Sequence, residues 1–347
     1  MQLNRRNLLT SALTLSALEL FPGISHAQAR KLVFATFTGS WEEAHRDVIV
    51  PAFKKATGQD MLLDAMLSVD QIAKVQAARA NPPIDIMLHD PGPALTAIGQ
   101  DLVEPFPVAS SKHYKDLIPE AQEVSGPSIF FQAVGLTYNP EKIKTPPTSW
   151  ADLWKPEYKG RVGITNLNST LGTGFLVEIS RMHGGSEGNV EAGFKAIEKL
   201  KPNLAAVAAN PGALAALYQQ GQIDISPGNF NAIQILKARG VPVEFVAPKE
   251  GAIAFKTSIH IVKNSPNKAL AAQMIDVALS PEVQAKLMQA PYLIMPTNTK
   301  VKMEGEIAKV LAKDTADMKK KFVFQDWKKI NENRAAWIDR FNREIKL

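Results

Sequence analysis

"VGITNLNSTLGTGFLVEIS", residues 162–180, has the pattern of a short buried strand, a polar turn and then a helix. The helix is predicted to begin near Ser169 or Thr170. The turn carries more hydrogen-bonding side chains than one helix N-cap requires: Asn166, Asn168, Ser169, Thr170 and Thr173. Helix N-termini expose unpaired N–H groups and a partial positive charge. Two interpretations follow: the turn binds a polar or anionic ligand, or its side chains only cap the helix and satisfy the loop.

The same alternation of strands and helices occupies the chain from residue 31 onward. Its first part contains strands at 31–37, 60–67 and 84–90, with helices over 41–57 and 68–80. This order predicts a parallel sheet with helices on both faces. Ligands of such sheets bind at the carboxyl ends of the strands.

A long apolar run, "IFFQAVGLTYN" at 129–139, suits a strand that crosses from one lobe to another. A second sheet-and-helix unit follows it, and two strands within 243–263 are predicted to return to the first lobe. The remainder is predicted to be helical and to end in one helix over 327–346. Two α/β lobes joined in this way form a cleft, and hinge closure over a cleft buries a ligand.

Residues 1–29 are predicted to be a secretory signal peptide. Paired arginines, Arg5 and Arg6, precede an apolar stretch through Leu20, and Ala27-Gln28-Ala29 fits an A-x-A cleavage site. The arginine pair suits twin-arginine export, and the general secretory (Sec) route stays open. The chain has no cysteine, which excludes disulfides and argues against a lipidated N-terminal cysteine. We therefore expect a soluble monomer in the periplasm.

The formal net charge of +6 is spread along the chain without a basic and aromatic run. Such a distribution does not favour a nucleic-acid partner.

Three segments resemble a known family. "PTSWADLWKPEYKGRVGITN" (147–166) and "PKEGAIAFKTSIHIVKNSPNKALAAQMIDVALSPEVQAKL" (248–287) resemble the spermidine/putrescine-binding proteins of ABC importers. "DWKKINENRAAWIDRFNREI" (326–345) resembles the closing helix of the wider family of extracellular solute-binding proteins. The resemblance implies a type II periplasmic binding protein, an α/β fold with two lobes joined by crossing hinge strands. It also implies a membrane permease and an ATPase as partners, and no enzymatic activity.

The lobe boundaries that this fold implies fall at the crossing strands. Lobe 1 is predicted to contain residues 30–134 and 255–298, and lobe 2 residues 135–254 and 299–347.

The resemblance leaves the solute open. Polyamine binders place carboxylates beside each ammonium group, since a buried unpaired charge costs several kcal/mol. Where their pattern has an aspartate two residues after an aromatic, this chain has Thr257 after Phe255. Where their turn is acidic, this chain has the neutral Asn168, Ser169 and Thr170. An anionic solute or an amino-acid-like zwitterion is therefore favoured over a polyamine.

Nine residues are the candidate ligand contacts, partly on this resemblance. Trp41 and Phe255 are expected to pack on the carbon skeleton of the solute, and Asp90 to face an amine. Polar side chains are expected to bind its polar ends: Ser40, Asn168, Ser169, Thr170, Asn229 and Thr257. Plainer roles stay open for three of the nine. Trp41 can anchor its helix, Asp90 can start the turn before Pro91, and Asn229 can serve a glycine-rich turn.

The sequence leaves other functions open as alternatives. A polyamine-binding protein of the same fold is the first, and a binding protein that serves a chemoreceptor or sensor is the second. An exported hydrolase is disfavoured, because the chain lacks G-x-S-x-G, H-E-x-x-H and Walker A patterns. No two of its tyrosines are adjacent, which disfavours a ferric site. We expect no catalytic residues, no metal and no cofactor.

Overall fold

The computed structural model describes residues 30–345, so the predicted signal peptide at 1–29 lies outside the described residues. Within that range the chain forms these strands: β1 (Leu32–Thr36), β2 (Met61–Ala65), β3 (Ile86–His89), β4 (Val103–Glu104), β5 (Ser128–Tyr138), β6 (Val162–Thr165), β7 (Leu204–Ala208), β8 (Ile225–Asn229), β9 (Glu244–Val246), β10 (Ala252–Val262), β11 (Met295–Pro296) and β12 (Phe322–Phe324).

The α-helices of the same range are α1 (Ser40–Ala44), α2 (Val50–Thr57), α3 (Ser68–Ala77), α4 (Pro91–Gly99), α5 (Thr170–Met182), α6 (Glu191–Leu200), α7 (Pro211–Gln219), α8 (Phe230–Ala238), α9 (Lys268–Leu279), α10 (Pro281–Met288), α11 (Thr315–Lys321), α12 (Trp327–Asn331) and α13 (Arg334–Glu344). A π-helical turn, His45–Ile49, joins α1 to α2 without a break. Among these residues, no helix combines the length and apolar character needed to cross a membrane.

The strands form one continuous mixed sheet with the order β2-β1-β3-β10-β5-β8-β6-β7. One side of it is parallel through β1, β2 and β3, and the other through β6, β7 and β8. Between them run the 11-residue strands β5 and β10, which pair with each other in antiparallel fashion. The predicted parallel sheet and the second predicted sheet-and-helix unit are therefore the two halves of a single sheet.

Each long central strand belongs to both halves. The first part of β5 pairs with β10 and β11, and its last part pairs with β8 and β9. All residues of β5 are buried, as expected for a central strand covered on both faces. The predicted lobe boundaries after residues 134 and 254 fall inside these two strands, and they stay a prediction, since residues from Lys31 onward form one compact unit.

The C-terminal region differs from the sequence expectation. One helix over 327–346 was predicted, but α12 ends at Asn331 and α13 begins at Arg334. The break follows from the composition Asn331-Glu332-Asn333, because asparagine has a low helix propensity. The break makes Arg334 the first residue of α13. The contacts of this residue with the site are described below.

Three histidines are completely buried, and each leaves a ring nitrogen without a partner among the described residues: His45, His89 and His260. Burial lowers the pKa of His45 to about 3 and that of His260 to about 4. The pKa of His89 lies well below its ordinary value, because of burial and the neighbouring His260. In the unfolded chain these groups titrate near pH ~6.5.

The contribution of these neutral histidines to stability should therefore be fully present above that pH. It should fall as the pH drops toward 4. His45 and His260 should each cost about 2 kcal/mol of unfolding free energy between pH 7 and pH 5, and His89 should act in the same direction. Urea denaturation at the two pH values measures the loss. His260→Gln should reduce the loss by about 2 kcal/mol, whereas the same change at the exposed His183 should not. Equal losses in both variants would contradict this account.

Candidate functional site

A cavity of about 50 Å³ lies where the two halves of the sheet meet. One wall follows the carboxyl ends of β1, β2 and β3, and the other follows those of β6, β7 and β8. Gln132 of β5 and Phe255 of β10 also line it. Because one water needs about 10–15 Å³ by this measure, the space suits a compact solute of a few polar groups.

Seven of the nine candidate residues line this cavity: Trp41, Asp90, Asn168, Ser169, Thr170, Asn229 and Phe255. Ser40 is half-buried as the first residue of α1 but is not part of the wall, where Phe37 and Thr38 lie instead. Thr257 is completely buried and does not line the cavity, but its Oγ1 accepts from Nε2 of the lining residue Gln132 at 2.8 Å.

Five helices of eight or more residues begin at the cavity: α3, α4, α5, α7 and α8. Each directs unpaired backbone N–H groups and a partial positive charge toward its N-terminal end. Of the described residues that line the cavity, Asp90 is the one acid, and none is a lysine or arginine. The combined helix dipoles favour an anionic group in the solute.

Three residues of good capping type stand at helix N-caps without capping them. Asp90, Ser169 and Asn229 precede α4, α5 and α8, and none of their side chains makes a capping hydrogen bond. Asn210 shows the alternative, because its Oδ1 accepts from the Ala213 backbone N–H at 2.9 Å. A capping bond contributes about 1 kcal/mol. Instead of capping, Asp90 and Asn229 bond to Gln132, and all three residues line the cavity, which favours ligand binding over the capping interpretation.

A chain of side-chain amides connects the two walls. Gln132 Nε2 donates to Asp90 Oδ1 at 2.7 Å, and Asn229 Nδ2 donates to Gln132 Oε1 at 2.9 Å. Asn229 lines the cavity, and its Oδ1 atom is buried and has no partner among residues 30–345. Gln132 was missed from the sequence, although a lone glutamine in the apolar run 129–136 was a signal of a buried polar role.

The protonation of Asp90 reflects opposing influences. Burial raises the pKa of its carboxyl, while hydrogen bonds from Thr170 and Gln132 and the charge of Arg334 act in the opposite direction. A cationic group of a solute would also lower the pKa of Asp90 and so favour its carboxylate form.

Aromatic rings fix the apolar part of the wall. Trp41 stacks on Phe130 with ring centroids 4.5 Å apart and planes inclined by 12°. Phe255 packs edge-on against Trp327 at 5.7 Å. Trp41 is buried and also lines the cavity, and its packing on the carbon skeleton of the solute stays a prediction.

Arg334 lies behind the turn that precedes α5 and was not predicted from the sequence. Its Nε donates to Thr173 Oγ1 at 3.1 Å, and its Nη2 donates to the carbonyls of Leu167 and Asn168 at 3.2 and 2.9 Å. Its guanidinium also lies 5.9 Å from the centre of the Trp327 ring. Burial lowers its pKa to about 10, so it remains charged at neutral pH.

A larger surface depression of about 830 Å³ lies beside α9. Both of its acidic groups are bonded to neighbouring groups: Lys268 pairs with Glu104, and Asp276 accepts from the Lys112 backbone at 3.0 Å. In residues 30–345 no three His, Asp or Glu side chains are placed to hold a metal ion. The smaller cavity is therefore the candidate site.

Comparison with known proteins agrees with this geometry. A family model described as bacterial extracellular solute-binding protein matches residues 81–333, more than half of the chain. The chain belongs to this family. The solute-binding architecture extends to solved structures: an ABC transporter from Clostridium perfringens is 25% identical, with a TM-score of 0.70 over 91% of this chain and 100% of that one. The predicted fold, a type II periplasmic binding protein, is confirmed.

Two relatives of the solute-binding family differ in the solute that they are named for. The spermidine/putrescine-binding periplasmic protein of Escherichia coli K12 is 33% identical over 148 residues, which are 41% of this chain and 40% of that protein. A putative 2-aminoethylphosphonate-binding periplasmic protein of Salmonella typhimurium is 26% identical over 258 residues, which are 72% of each chain. The chain thus matches only two fifths of the length of the polyamine-binding relative.

Proposed function

We propose that this protein is the periplasmic solute-binding component of an ABC importer and that it captures a small anionic or zwitterionic solute. The observation that carries the proposal is the meeting of five helix N-termini at a cavity with one carboxylate. This arrangement supplies positive potential for an anionic group and a single counter-charge for an amine.

The solute is oriented by the two walls. Its amine lies against Asp90, with the free acceptor Asn229 Oδ1 as a second partner. Its anionic group lies near Asn168 and Ser169, because the Thr170 side chain is already bonded to Asp90. Trp41 and Phe255 pack against the carbon skeleton between these ends.

A polyamine is the alternative solute, and the relative from Escherichia coli gives it weight. A diamine carries a positive charge at each end, and each needs a counter-ion when water is excluded. Asp90 is the one acid among the described residues that line the cavity, so the second ammonium would face helix N-termini instead. The zwitterion is therefore favoured.

Capture and release follow from the sheet. We propose that β5 and β10 act as hinge strands between the two predicted lobes, that closure excludes water from the solute, and that opening at a membrane permease releases it to an importer powered by an ATPase. Export through the predicted signal peptide would place the monomer in the periplasm, where its named relatives occur.

Thermal denaturation of the exported form, residues 30–347, against a solute panel tests the proposal. The panel contains 2-aminoethylphosphonate, ω-amino acids, α-amino acids, dicarboxylates and polyamines. A ligand at 100 times its dissociation constant stabilises the folded state by about 2.7 kcal/mol. We expect a shift with at least one zwitterion and none with polyamines. A shift with putrescine alone would refute the charge assignment, and no shift with any solute would count against the binding function.

A further inference from the structure

Arg334 combines a buried charge with unusual partners. It is 8% exposed, and its hydrogen bonds run to one hydroxyl and two backbone carbonyls rather than to a carboxylate. A buried cation is costly unless other groups compensate it. The two carbonyls belong to Leu167 and Asn168, which lie in the turn that forms one wall of the cavity.

The covalent geometry of the turn determines where its N–H groups point. The peptide bonds after Leu167 and Asn168 are trans, so the N–H of each peptide is directed opposite to its C=O. Arg334 holds both C=O groups on its own side. The N–H groups of Asn168 and Ser169 are therefore directed away from the guanidinium, and these two residues line the cavity. A charged donor on the carbonyl also polarises the N–H of the same peptide.

A second observation, on another element, points to a ligand at this cavity. Asn229 is 4% exposed, lines the same space and has an Oδ1 atom without a partner among the described residues. The Ser169 hydroxyl, at the N-cap of α5, also makes no capping bond. Two separate elements of the same wall, the turn before α5 and the end of β8, therefore present polar groups that internal bonding does not use.

We propose that Arg334 is the positioning residue of an anion subsite, in which it aims and polarises the N–H groups of Asn168 and Ser169 toward the anionic end of the solute. The inference rests on the proposed function and deepens it by assigning the anion affinity of the cleft to a residue of α13. Arg334 does not touch the solute. It acts through the two peptide groups.

Arginine-to-lysine substitutions on the same helix provide the test. Arg334→Lys keeps the positive charge but removes the planar fork that reaches Nε and Nη2 partners together. Arg340→Lys is the matched control, because Arg340 pairs with Glu191 and Glu344 at the surface. The probes are 2-aminoethylphosphonate and ethanolamine. Both carry the amine, and only the first carries an anionic group. Their dissociation constants are measured by titration calorimetry on the purified protein, with thermal unfolding of each variant without ligand.

We expect Arg334→Lys to weaken 2-aminoethylphosphonate at least tenfold and ethanolamine less than twofold, with Arg340→Lys unchanged for both. Thr173→Val removes the acceptor of Arg334 Nε and also the hydroxyl that donates to the Leu167 carbonyl at 2.8 Å. It should weaken the phosphonate about threefold, and it is the deciding variant if Arg334→Lys does not fold. Equal loss for both probes would show a merely structural role and overturn the inference. Unchanged affinities in both variants would also overturn it. If the unaltered protein binds neither these probes nor any panel solute, the proposed function itself fails.

Discussion

Asp90→Asn is expected to weaken binding of a zwitterionic solute at least 30-fold and to leave a simple anion within about twofold. Asp90 is the one acid among the described residues that line the cavity, and its carboxylate accepts from Gln132 at 2.7 Å. Removing one partner of a desolvated charge pair costs about 2–5 kcal/mol. The anion gains nothing from Asp90, so its affinity should be almost unaffected. Titration calorimetry with 3-aminopropanoate and propanoate measures the difference.

The matched control is Asp101→Asn, an aspartate on the surface that pairs with Lys263. It should change neither affinity. Without solute, Asp90→Asn should be no less stable than the original protein at pH 7. Burial raises the pKa of Asp90, so ionising this carboxyl reduces stability as the pH rises above its ordinary titration range. Equal loss of both ligands, or no loss of the zwitterion, would remove Asp90 from the amine subsite.

Gly172→Ala should damage both the stability of the protein and its binding site. An added Cβ would lie 2.2 Å from the Asn166 carbonyl oxygen and 2.7 Å from that of Thr165, both of them backbone atoms. Because backbone cannot rotate away, the start of α5 must move off the end of β6. We expect the unfolding free energy to fall by about 1–3 kcal/mol. Solute affinity should fall at least tenfold, as the turn that carries Ser169 shifts.

Gly99→Ala is the control for the loss of a helical glycine. Gly99 ends α4, is exposed, and a Cβ there would meet no atom within 4 Å. Alanine should therefore be neutral or stabilise by up to about 1 kcal/mol. Urea denaturation and calorimetry of both variants make the comparison. Wild-type stability and affinity in Gly172→Ala would show that the close contact with Asn166 does not constrain the site.

The part of the site that local pattern controls was predictable. Asp90 and the residues 168–170 follow buried strands directly, and the carboxyl ends of parallel strands meet at one edge of a sheet. Phe255 and Asn229 were identified on the family resemblance, and the structure places both at the cavity. Ser40, predicted in the same way, does not reach its wall.

Gln132 and Arg334 were beyond such reasoning for a physical reason. The partner of Gln132 at Asp90 is 42 positions away, and the partner of Arg334 at Asn168 is 166 positions away. Neither pairing can be predicted from strand or helix periodicity, because both form only when distant segments pack together. Arg334 also stands among many other polar residues in 326–345, and the sequence has no feature that separates this buried arginine from its exposed neighbours.

We propose that this cleft accepts one positive and one negative charge in a single small solute. Titration calorimetry with 4-aminobutanoate and putrescine tests it most directly, because both have a four-carbon backbone and an amine, and they differ in the charge of the other end. We expect 4-aminobutanoate to bind at a single site, and putrescine to bind with at least tenfold lower affinity. Tighter binding of putrescine would contradict it and would show that the cleft neutralises two ammonium groups.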